Sequence, residues 1–182
     1  MKPMPAFRTL AAPEARLTGA VEGAAVAHHE GGEGSTIYLH PGQIFASAEP
    51  CAVTTILGSC VAVCLWDPHL RVGGANHFLL PDWAGNGHSS ARFGNVAIER
   101  LIEKVVALGG KRENLQAKLF GGACVIEAFR DRENHLGMKN VQVARRLLEK
   151  GGIPVIAEDV GGRQGRKLIF HVNDGTAWVR RL

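Results

Sequence analysis

The chain has 182 residues, 46% hydrophobic and 21% charged, with a formal net charge of +4 at pH 7. That length holds one domain with a substantial core. No apolar run approaches the roughly 18 residues of a membrane span, and scattered basic residues with one tyrosine make no nucleic-acid footprint.

No membrane insertion and no nucleic-acid partner are therefore expected. Lys2 and Arg8 are not followed by the apolar segment of a secretory signal, which implies a cytoplasmic protein. The four cysteines, Cys51, Cys60, Cys64 and Cys124, contain no CxxC pair, so neither a disulfide framework nor a compact metal site is expected.

In chain order, residues 1–34 are rich in Ala, Gly, Pro and Glu and read as a flexible N-terminal extension, with His28 and His29 a solvated pair lacking a third metal ligand. The folded domain is expected over 35–182. "STIYLH" and "QIFAS" are short strands flanking a Pro41-Gly42 turn, and "AVTTIL" is another. "VAVCLWD" and "VGGANHFLLP" form a hairpin. "ARFGNVAIERLIEKVVALGG" has Ala97, Leu101, Ile102, Val105 and Leu108 at helical spacing, with Gly109 at the C-terminal cap. "LQAKLFGG" is a strand running into a glycine turn, and 125–129 is ambiguous. "NVQVARRLLEKGG" is a second helix, with Asn140 as N-cap and Gly151 as stop. "IPVIAEDVGG" is a strand, and "RKLIFHVNDGTAWVRRL" a hairpin around Asp174-Gly175. The sum is an α+β domain of layered mixed β-structure, dominated by hairpins and flanked by two helices.

The chemistry centres on "LGSCVAVCLW". If the hairpin loop is residues 67–70, Trp66 faces Arg71 and Cys60 faces His77, where opposed Cβ atoms are about 4.5 to 5.5 Å apart. A change of one residue in the loop, or a bulge at Gly73-Gly74, turns His77 to the other face. An imidazole beside a thiol can take its proton and carry it to a leaving group. Gly58 and Ser59 precede the sulfur, and a turn there can aim backbone N–H groups at an oxyanion. A third group must hold the imidazole. Thr54, about 20 Å from Cys60 along an extended chain, reaches it only if the intervening segment turns back, and Asp82 competes for that role. Against this stand a structural Cys60, which is how free cysteine usually behaves, and a weak zinc reading with Cys60, Cys64, His77 and another histidine as ligands. The glycine-rich "FGGA" and "DVGGRQGRK" lack a P-loop ending and read as tight turns, with Arg163, Arg166 and Lys167 available to an acidic partner.

Taken together, "TTILGSCVAVCLWD", "GGANHFLLP", "ARFGNVAIERLI", "AKLFGGA", "LGMKN" and "DVGGRQGRK" resemble the CheD family of chemoreceptor glutamine deamidases. The resemblance runs in order from about residue 35 to residue 182, roughly four fifths of the chain. It implies a cytoplasmic amidohydrolase that converts glutamine side chains of methyl-accepting chemotaxis receptors to glutamate. In some members it implies glutamyl methylesterase activity and a CheC-type phosphatase partner as well. It implies a Cys-His-Thr triad of Cys60, His77 and Thr54, with Thr55 adjacent to the last, no cofactor, and a fold similar to bacterial toxin deamidases. The departures are Ala75, where the family often has methionine, and residues 1–34, which have no counterpart. The rival function is a non-catalytic adaptor docking on receptor or phosphatase.

Overall fold

The computed structural model describes residues 35–85, 87–127 and 135–182. The expected extension over 1–34, with His28 and His29, lies outside them, as do residues 128 and 129 of the ambiguous stretch. Among the described residues nine strands and two α-helices follow in order: β1 (Ser35–Tyr38), β2 (Ile44–Ser47), β3 (Cys51–Leu57), β4 (Val61–Asp67), β5 (Val72–Asn76), α1 (Gly94–Ala107), β6 (Gln116–Gly121), α2 (Leu136–Lys150), β7 (Val155–Val160), β8 (Arg166–His171) and β9 (Ala177–Arg181).

The strands form two sheets, ordered β1-β3-β8-β9 and β2-β5-β4-β6-β7. Hairpins account for only two pairings, β4 with β5 and β8 with β9. The pairs β1-β3 and β6-β7 are parallel, and β1 and β2 go to different sheets across the Pro41-Gly42 turn. The sheets are thus mixed and largely non-local rather than hairpin-dominated. Both helices pack on the five-stranded sheet, so the layers run helices, five-stranded sheet, four-stranded sheet.

Strand alternation produces two cores. Val61, Val63 and Leu65 of β4 face the helices, meeting Ile98, Leu101 and Val105 of α1 and Val141, Ala144 and Leu148 of α2. Ala62 and Cys64 face the other way, joining Val53 and Leu57 of β3 and Leu168 and Phe170 of β8 between the sheets. Buried on both faces, β4 shows no polar alternation and reads as one apolar run.

The β4-β5 hairpin differs from its expected register by two positions: Trp66 faces Gly73 and Cys64 faces Ala75. The cause is Asp67, which stays in the strand while its Oδ1 accepts from the N–H groups of His69 (2.9 Å) and Leu70 (3.1 Å). Arg71 closes the loop with φ 56°, so the turn is residues 68–71 rather than 67–70. No bulge forms at Gly73-Gly74, since both pair in unbroken register. A shift of two preserves the face on which each side chain lies.

Helix α1 ends as expected, with Gly109 at φ 103° after the Leu108 cap. Helix α2 begins five residues before the expected start. His135 is its N-cap, its ring accepting from Met138 N–H, and Asn140 lies inside the helix.

Candidate active site

Strand β3 ends in the four-stranded sheet and β4 begins in the other, so residues 58–60 carry the chain across the layer between them. Cys60 lies at the β4 end of this crossing, partly buried against the inter-sheet core. Val61 makes a two-bond antiparallel bridge with Phe78, N–H to O at 3.0 and 2.9 Å. Cys60 immediately precedes Val61 and His77 immediately precedes Phe78. Their side chains are diagonal neighbours on one face, a spacing of roughly 7 to 8 Å between backbone positions that an imidazole spans. The structure therefore brings Cys60 and His77 together on the predicted face, diagonally rather than directly opposite.

The third predicted residue is displaced by one. Thr54 points to the outer face of its sheet and donates to the Leu168 carbonyl at 3.0 Å. Thr55 points inward with Val53 and Leu57, and its Oγ1 lies 2.8 Å from His77 Nδ1. The period-two alternation of β3 decides this: one of two adjacent threonines must face the interior, and it is the one in step with the buried Val53 and Leu57. Asp82, the competing orienter, instead receives Arg146 Nη2 at 2.7 Å.

The hydrogen bonds also fix the imidazole tautomer. Thr55 Oγ1 donates its single proton to the Leu39 carbonyl at 2.7 Å, so toward His77 it accepts, and Nδ1 carries the ring proton. Nδ1 also lies 3.4 Å from the same carbonyl. Nε2 is left with its lone pair, buried and without a hydrogen-bond partner among the described residues. His77 is 1% exposed. Burial is the main cause that lowers its pKa to about 4; the Leu39 carbonyl opposes the shift and His40 adds to it. Burial likewise raises the Cys60 thiol, offset in part by its own N–H. At neutral pH the pair rests as thiol and neutral imidazole.

All four cysteines are unpaired. Cys51, Cys64 and Cys124 are buried, whereas Cys60 is partly exposed on the turn. Burial pushes the Cys51 thiol to about 11 and raises Cys64 further. Among the described residues no cluster of three or more His, Cys, Asp or Glu side chains could hold a metal.

Three carbonyls of the turn are pinned. Gly58 O accepts from Ala123 N–H at 2.8 Å, Ser59 O from Asn140 Nδ2 at 3.0 Å and Cys60 O from Gly122 N–H at 2.8 Å. The N–H groups of Ser59 and Cys60 have no backbone carbonyl partner among the described residues. Gly58 itself has ordinary room: a Cβ there would meet the Val125 methyls at 3.5 Å. The strict requirement lies across the crossing at Gly121, where φ is 107° and a Cβ would strike the Cys60 carbonyl.

Arg166 is not available to a partner. Its guanidinium is buried against the Asp159 carboxylate at 2.5 Å and the carbonyls of Asp159 and Gly161. Arg163 is exposed and Lys167 partly so. A groove of about 630 Å³ beside β7, lined by Arg145, Glu149 and residues 153–158, contains none of the site residues.

Comparison with known proteins gives a consistent class. The family described as CheD chemotactic sensory transduction matches residues 79–181. A protein of Anaeromyxobacter dehalogenans (strain 2CP-C) named probable chemoreceptor glutamine deamidase CheD 1 is 60% identical over 152 residues, covering 84% of this chain and 88% of its own. Proteins named probable chemoreceptor glutamine deamidase CheD from Trichlorobacter lovleyi and Sulfurimonas denitrificans are 44% and 41% identical, each over 79% of this chain and 89% and 92% of their own. The chain belongs to the CheD family. The crystal structure of Bacillus licheniformis hypothetical protein YfiH has a TM-score of 0.42 at 16% identity, covering 63% of this chain and 49% of that one. No helix among the described residues is long and apolar enough to cross a membrane.

Proposed function

We propose that this protein deamidates glutamine side chains of chemotaxis receptors, with Cys60 as nucleophile, His77 as acid and base, and Thr55 holding the imidazole. The observation that carries the mechanism is the bare, buried Nε2 of His77 on the same face as the Cys60 sulfur, with Nδ1 fixed by Thr55. The names of its relatives supply the substrate class.

Sulfur attacks the carboxamide carbon as its proton passes to Nε2. The resting pair is neutral, so charge develops only as the bond forms. The oxyanion meets the N–H groups of Ser59 and Cys60, neither of which has a backbone carbonyl partner among the described residues, a contribution of about 3 to 4 kcal/mol per donor in comparable sites. Nε2–H then protonates the departing nitrogen, and ammonia leaves a thioester on Cys60. Water, deprotonated by Nε2, cleaves the thioester to release glutamate and restore the thiol. No step needs a metal or cofactor. A glutamyl methyl ester would enter the same cycle with methanol leaving.

A folded protein substrate suits the apolar surface bordering the turn: Val125, which overhangs Gly58, is 46% exposed, and Ile56 and Ile126 are 48% and 57% exposed. The cytoplasm, where receptor signalling regions lie, is the proposed location. A CheC-type phosphatase as regulatory partner is proposed on the same family ground.

The direct test is mass spectrometry of receptor signalling fragments incubated with the enzyme. Individual glutamine peptides are expected to gain about one dalton with stoichiometric ammonia, and Cys60→Ala to produce neither while staying folded. Undiminished conversion by Cys60→Ala would refute the mechanism. Receptor binding without conversion by the intact protein would instead favour the adaptor reading.

A further inference from the structure

The segment "LGMKN" at 136–140 takes no part in the chemistry above, yet it docks on the nucleophile turn. Gly137 in the first turn of α2 lies so close to the chain at Gly122 that a Cβ would strike the Gly122 carbonyl. Gly122 has φ 71°, a conformation L side chains rarely adopt. These two glycines let the helix start pack against residues 121–123, the same residues that pin Gly58 O and Cys60 O.

Within reach of that contact, Asn140 is 0% exposed. Its Nδ2 donates to Ser59 O at 3.0 Å and to Leu79 O at 2.8 Å, while its Oδ1 has no partner among the described residues. The two carbonyls flank the site: Ser59 precedes the sulfur-bearing residue, and Leu79 lies two residues after His77.

The sheet splits at this point. The bridge between Val61 and Phe78 is the last rung that joins β4 to the chain leaving β5. The next rung would join Ser59 to Leu80, but Leu80 N–H donates to Arg92 O at 3.0 Å. Asn140 supplies the missing link with one amide group that ties both diverging chains.

We propose that Asn140 is a positioning residue that clamps the Cys60 turn to the chain carrying His77, setting the sulfur-to-Nε2 approach without touching either atom. This rests on the Cys60–His77 reading. Loss of the clamp lets the two chains separate where no ladder hydrogen bond holds them, and small misplacements of reacting groups are costly. A substrate docking on the exposed apolar rim would be largely unaffected, because Asn140 is buried beneath the turn.

The test uses the full chain carrying Asn140→Ala or Asn140→Asp, assayed for ammonia release from a receptor fragment below each variant's unfolding midpoint, beside Cys60→Ala. The expected result is a fall in kcat of about 10- to 100-fold with KM within about twofold of the parent. Asn140→Asp should fall further, because it keeps the volume but turns a carboxylate oxygen on two carbonyls. If either does not fold, Asn140→Ser takes its place. A kcat within about twofold of the parent, or an effect confined to KM, overturns the clamp while an inactive Cys60→Ala leaves the mechanism standing. An active Cys60→Ala overturns the mechanism and the clamp with it.

Discussion

His77→Gln is expected to lower kcat/KM for receptor glutamine by about 10² to 10⁴-fold, the range that a positioned acid-base group contributes. The size of the effect follows from the neutral resting pair. Because burial holds the thiol above its usual value, little thiolate exists at neutral pH without a base to take the proton. The same argument places the acidic limb of the parent enzyme's pH profile near 4 rather than 6.5, since only unprotonated Nε2 can act. Thr55→Val removes the nearer acceptor of Nδ1 and leaves it only the Leu39 carbonyl at 3.4 Å, and should cost between about tenfold and 100-fold through imidazole misorientation. Thr54→Val removes only a hydroxyl bonded to a main-chain carbonyl on the outer face and should leave turnover within about twofold of the parent.

The second large effect is on stability. His77 has a native pKa of about 4 against 6.5 for the free side chain, because it is buried neutral. Between these values the unfolded chain binds a proton that the native protein refuses, so stability is complete above pH 6.5 and is lost as pH falls toward 4. The slope is about 1.4 kcal/mol per pH unit for one proton, or roughly 3 kcal/mol across the window. Urea unfolding followed by circular dichroism between pH 7.5 and 4 measures it. His77→Gln should show a slope shallower by about one proton, whereas equal slopes in the two proteins would mean that His77 does not carry the linkage.

Most elements were legible because their patterns are local. The apolar period of α1, the Asp174-Gly175 turn between β8 and β9, and the two apolar runs of β4 and β5 on either side of a short polar loop each depend on neighbours in sequence. What was not legible depends on partners far along the chain. The parallel pairing of β1 with β3 and of β6 with β7 leaves no turn signature. The hairpin slipped by two positions because Asp67 serves as strand residue and turn acceptor at once, with Oδ2 also receiving Lys111 N–H at 2.9 Å. The same slip left Cys60 and His77 on one face, since two is the strand period.

The exchange of Thr54 for Thr55 was within reach of the sequence. In "AVTTIL" the buried positions Val53 and Leu57 bracket Thr55, and an alternation argument would have selected it. Asn140 was harder. Its side chain reads as a helix cap by type, and nothing local shows that the helix begins earlier and turns that amide onto Ser59 and Leu79. Gly58 stands just before the sulfur-bearing residue, but the glycine that the close approach demands is Gly121, across the layer.

The proposed mechanism hangs on Nε2 of one histidine taking the proton of one sulfur, and that pairing can be measured without any receptor. The rate of Cys60 alkylation by iodoacetamide, followed by peptide mass spectrometry at pH 7, should fall about tenfold or more in His77→Gln while Cys64 stays slow in both. Equal labelling of Cys60 with and without the imidazole would contradict the account.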